Sequence, residues 1–167
     1  MFLTIVMKLN EEEEFLEEAA GKYTGKLLEL TDKILEREET NLDYIGHKKL
    51  VYEARARARL IKEKKIRYED PQDLHCVFKR QEFTVNSETR QLEFNYRDKK
   101  VNYTVNRYQK LLLKKMEPVY LQVGKIDNQW YGWLLGSVVL EDYLDLRKQL
   151  YLENSGSDDK KETSTSM

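Results

Sequence analysis

Leu16, Ala20, Tyr23, Leu27, Leu30 and Ile34 are separated by 4, 3, 4, 3 and 4 residues, a spacing that lines one face of a helix. Phe15, Ala19, Leu28 and Leu35 widen this stripe beyond a narrow seam, enough to meet more than one partner. A second seam follows in Tyr44, His47, Val51, Ala54, Ala58 and Ile61. Its side chains are smaller, with alanines facing leucines as an interdigitated pair requires. Asn10 with Glu13, and Thr40 with Asp43, have capping-box spacing, which places a turn near residues 39–42. Gly21 and Gly25 weaken the first helix and leave room for another element to approach. The pattern therefore predicts an antiparallel helical hairpin, each arm about 35–45 Å long.

Pro71 disfavours helix in the residue before it, and from there apolar positions alternate. Leu74 to Val85 reads as one extended, bent segment. Leu92, Phe94 and Tyr96, then Val101, Tyr103 and Val105, form two further strands of a meander. Asn106 to Met116 reads as a short helix. Val119 to Ile126 and Trp130 to Leu140 are apolar strands, the second so continuous that it suggests burial on both faces. Glu141 to Leu152 closes as an amphipathic helix. The expected fold class is α+β: a hairpin arm over 1–67, then a small mixed domain over 68–153. That domain would hold a mostly antiparallel sheet of about five strands and two further helices. The serine- and threonine-rich stretch 154–167 has no apolar anchor and reads as a disordered tail. Residues 1–9 admit two readings, a short buried strand or an extension ahead of a start at Met7.

Charge changes this picture in one respect. Residues 10–39 carry eleven acids against four bases, and residues 44–67 nine bases against two acids. Folded back on one another, the two segments would neutralise, with Glu11–Glu14 beside Lys62–Lys65. The basic stretch would then be spoken for. Net charge over the 167 residues is −1, so no global field demands a polyanion or a membrane. The single cysteine, Cys76, suits a reducing compartment, and no apolar run approaches the length of a membrane span. The expected location is cytoplasmic.

Candidate chemistry is sparse. His75 and Cys76 are adjacent, so on a strand they face opposite ways and cannot grip one ion or act as base and nucleophile. No glycine-rich phosphate loop or nucleophile elbow is present. The expectation is a protein that is not an enzyme, with no metal, no cofactor and no small-molecule ligand. Residues 74–116 hold ten bases against four acids, interleaved with aromatics. Arg90, Tyr96, Arg97, Lys99, Lys100, Tyr103 and Arg107 are the candidates for a face that holds DNA or RNA without sequence preference. On a half-buried meander, however, aromatics and charges alternate in any case, with the rings inward.

Two functional readings follow. The first is a non-catalytic interaction, assembly or regulatory module, with a protein partner or self-association through Phe15, Ala19, Leu28 and Leu35. The alternative is the nucleic-acid binder just described.

Overall fold

A computed structural model describes residues 1–36, 47–69 and 74–156. The chain runs β1 (Phe2–Asn10), α1 (Glu13–Leu35), α2 (Lys48–Lys62), β2 (His75–Lys79), β3 (Phe83–Asn86), β4 (Gln91–Phe94) and β5 (Lys99–Thr104). It continues with α3 (Arg107–Lys115), β6 (Glu117–Ile126), β7 (Gln129–Ser137) and α4 (Leu140–Gly156). All seven strands join one antiparallel sheet in the order β2-β6-β7-β1-β5-β4-β3.

The first and last strands of that order are neighbours in sequence, joined by the single 3-10 turn Arg80–Glu82. The sheet must therefore roll until its edges meet. Phe78 of β2 packs on Phe94 of β4 across the seam, with ring centroids 4.6 Å apart. Inward positions Met7, Leu92, Val101, Leu121 and Leu134 are wholly excluded from solvent. The apolar stripe of α1 fills the concave side, where Phe15 meets Phe94 at 5.3 Å. Each such side chain, fully buried, contributes about 1.5–3 kcal/mol by transfer from water.

Seven strands replace the expected five or so for two reasons. Residues 2–10 form a central strand, paired with β7 on one side and β5 on the other. The bent segment 74–85 is cut in two, because the Glu82 carboxylate accepts the Lys79 backbone N–H at 2.9 Å and turns the chain sharply. Its halves then lie at opposite ends of the sheet.

The antiparallel hairpin arm is also corrected. Two left-handed residues, Glu11 and Glu12 (φ 64° and 56°), turn β1 directly into α1, while the Asn10 amide bonds Thr104 rather than capping the helix. The first turn of α1 thereby arrives at the ends of the central strands. Acids at and just beyond the helix start pair there: Glu12 with Lys99 at 3.1 Å, Glu13 with Lys125 at 2.7 Å and Glu18 with Arg97 at 2.6 Å. None of these cations belongs to α2. Along α1, Tyr23 meets His47 and Glu53, while Asp32 accepts the Tyr68 hydroxyl. Residues 47–68 therefore advance in the same sense as α1 and do not return beside its acidic start. Nothing packs where a Cβ of Gly21 or Gly25 would lie, so neither serves a close approach. The tail expected from residue 154 gives way at its start to α4, which runs on to Gly156. The rest of it, the expected interhelical turn, the Thr40–Asp43 cap, Tyr44 and the Pro71 stop lie outside the described residues.

Candidate nucleic-acid interface

The inner face of α2 is small and apolar: Leu50, Val51, Ala54 and Ala58 are buried, together with Arg57, whose Nη2 donates to the Tyr68 carbonyl at 2.8 Å. His47 caps the helix. Its Nδ1 accepts the Leu50 N–H at 3.3 Å, and its Nε2 lies 2.9 Å from the Val77 carbonyl, which ties α2 to the edge strand β2. The seam that buries these residues leaves Lys48, Tyr52, Arg55, Arg59 and Lys62 on the opposite side. They are spaced 4, 3, 4 and 3, and all are exposed. Tyr52 is 66% exposed in the middle of the row. Among the described residues Lys48, Arg55, Arg59 and Lys62 have no ion-pair partner. A single straight line of unneutralised cations results.

The residues singled out on 90–107 fare differently. Tyr103 is buried and donates to the Asn86 carbonyl at 3.2 Å. Tyr96 packs on α1, its hydroxyl bonded to Glu18 and Lys22 and its ring 6.1 Å from Phe15. Arg97 and Lys99 are taken by Glu18 and Glu12, and Arg107 lies 2.9 Å from Glu153. Arg90 and Lys100 are exposed on different strand ends. No common surface collects these seven. Of the four apolar candidates on α1, Phe15 and Ala19 are covered by the sheet, Leu35 is half-buried and Leu28 remains 38% exposed.

A second surface adjoins the α2 row. The continuous apolar run of β7 suggests cover on both faces, yet its burial alternates strictly. Trp130, Gly132, Leu134 and Gly136 point inward. Tyr131, Trp133 and Leu135 lie on the convex side, partly buried, beside Tyr120 of β6 and Val6 of β1. Lys49 links the two surfaces, its ammonium 5.4 Å from the Tyr52 ring and 5.8 Å from the Tyr120 ring. Between the start of α2 and strands β2 and β6 runs a groove of about 290 Å³, lined by Lys48, Lys49, Lys79, Arg80, Val119 and Tyr120 and by no acid.

Behind α2, the Tyr23 hydroxyl donates to Glu53 Oε2 at 2.9 Å, and His75 Nε2 sits 3.1 Å from the same oxygen. Burial pushes the Tyr23 phenol far up, away from any role as a neutral-pH base. For Glu53, burial alone would raise the carboxyl, but the hydrogen bonds from His75 and Tyr23 outweigh it and hold the group below its ordinary value. Such a group stabilises the fold above its unfolded value of 4.5 and loses that contribution as pH falls through the folded one. Glu53→Gln is expected to cost about 1–3 kcal/mol at pH 7 and to flatten the decline in stability below about pH 4.5, read by urea melts at both pH values. A decline as steep as in the wild type would assign the acid sensitivity elsewhere. Cys76 points inward, and burial drives its thiol far up, so it is not a nucleophile at neutral pH. Among the described residues no three histidines, cysteines or acids converge on a metal position.

No family model matches the chain, and no curated protein matches it significantly. The α2 row has a sequence signal that charge counting over whole segments conceals. Stepping outward from the apolar seam by half a helical turn spells Lys48, Tyr52, Arg55, Arg59 and Lys62 directly.

Proposed function

We propose that the protein is a non-catalytic binding module that holds nucleic acid without sequence preference through the phosphates, by way of the exposed face of α2. The observation that carries this reading is the row of four cations along α2 with no acid partner among the described residues, whereas three of the five other candidate cations, Arg97, Lys99 and Arg107, are matched to acids. Four lysines and arginines at helical spacing extend over about 21 Å, the rise of 14 residues, and can track successive phosphates while releasing their counterions. Nothing in the row reads a base edge in a fixed register, which favours sequence tolerance. The reading through a protein partner loses its main support, because the hairpin is not formed and Phe15 and Ala19 are internal. No described helix is long and apolar enough to cross a membrane. The lone buried thiol of Cys76 favours a cytoplasmic, reducing setting.

Anisotropy of labelled oligonucleotides, measured across about 50–200 mM salt, tests the proposal. With four phosphates neutralised, log K should fall against log salt with a slope of about −3. No binding at the lowest salt, or a slope near zero, overturns it.

A further inference from the structure

The convex face of β6, β7 and β1 has aromatic and apolar side chains at its centre and cations at its rim. Trp133 sits between Gln122 and Val6 in the strand register, and Tyr131 between Gly124 and Lys8. The Tyr131 and Trp133 rings are 6.0 Å apart. A Cβ on Gly124 would lie 3.3 Å from the Trp133 ring, so glycine here lets the indole spread across β6. Among the described residues these rings are partly buried rather than enclosed. Lys8 is exposed at one side, and Lys49 stands over Tyr120 at the other. The acid at the start of β6, Glu117, is held by Arg80 at 3.0 Å.

An apolar protein partner would have to desolvate the Lys8 and Lys49 ammonium groups on either side. A nucleobase would not, because its phosphate accompanies it. Building on the nucleic-acid reading of α2, we infer that the preferred partner is a single strand. Its phosphates pass from the α2 row into the groove beside Lys48, Lys49 and Lys79, and its bases lie on Tyr120, Trp133 and Tyr131. A duplex keeps its base faces inside its own stack and can offer a flat aromatic platform only its backbone and edges. A single strand offers every face, and stacking on rings tolerates any sequence.

The test compares the intact protein with Tyr120→Ala and Trp133→Leu on an unstructured oligothymidylate and on a mixed-sequence duplex. Each substitution is expected to weaken single-strand binding about 5- to 100-fold and duplex binding by less than about twofold. Trp133→Phe, which keeps a stacking ring, should restore single-strand affinity. Addition of the oligothymidylate should quench tryptophan emission from Trp133, since Trp130 is buried inside the sheet. Unchanged single-strand affinity in both variants, or equal losses on strand and duplex, overturns the inference. A wild-type protein that binds duplex as tightly as single strand overturns it too, while leaving the α2 reading intact. Binding to neither removes the α2 reading and this inference with it.

Discussion

Arg55→Glu with Arg59→Glu should weaken nucleic-acid binding by about 100-fold or more near physiological salt and reduce the salt slope by about two. The effect is large because each reversal removes one phosphate contact and replaces it with a repulsion in the middle of the row. Both positions are exposed and unpaired, and arginine and glutamate have similar helix propensity, so stability should stay within about 0.5 kcal/mol. Lys100→Glu is the matching control. It is also exposed, and it is one of the residues that the basic, tyrosine-rich stretch nominates, but it lies on β5, separated from β2, the strand tied to α2, by β6, β7 and β1 one way round the sheet and by β4 and β3 the other. A loss at Lys100 equal to that at the α2 pair would mean that net charge, not the row, sets affinity. Anisotropy titrations of the three proteins at one salt concentration separate the two outcomes.

An effect on stability as large as that at Glu53 is expected at a glycine. A Cβ on Gly136 would run into the Met116 side chain and lie 2.9 Å from the Glu117 carbonyl oxygen. Methionine can adapt, but the carbonyl belongs to the first residue of β6, beside the register shift between Pro118 and Tyr120. It cannot retreat without opening the β6–β7 ladder. Gly136→Ala should therefore destabilise the fold by about 1–3 kcal/mol, a fall in Tm of roughly 2–12 °C. On α1 the sign reverses. With nothing within 4 Å of the built Cβ, Gly21→Ala and Gly25→Ala should each stabilise by up to about 1 kcal/mol through helix propensity. Denaturant midpoints measure all three. A neutral Gly136→Ala would show that the strand end yields more easily than its geometry implies.

Much of the local structure is legible from periodicity. The seam on α1 is the seam that fills the sheet, and Val51, Ala54 and Ala58 are the buried side of α2. Alternation correctly separates Leu92 and Phe94 from Gln91 and Glu93. The short helix read from Asn106 is α3, and the structure adds a cap there, Asn106 and Gln109 exchanging reciprocal bonds. The α+β content follows from these signals. The candidate site is legible only in fragments: the α2 cations are visible, but cancellation by the nearest acidic segment in sequence hides them.

The amino-acid sequence by itself determined most of the helical and extended stretches and the apolar side of α1, α2 and β4, because those properties depend on neighbours three, four or two positions away. Only the tertiary structure decided which cations stay free. Partners in the ion pairs lie up to 112 residues apart, as with Lys125 and Glu13, and strand β1 joins β7 across a similar span. Rolling the sheet to bring β2 and β3 together carries acids of α1 to β5 and β6 and leaves Lys48, Arg55, Arg59 and Lys62 without an acid among the described residues. The same closure turns Trp133 and Tyr131 outward, since an apolar strand reads alike whether or not another layer covers it, and in this fold α1 and the buried side chains of α3 and α4 lie on the inner side.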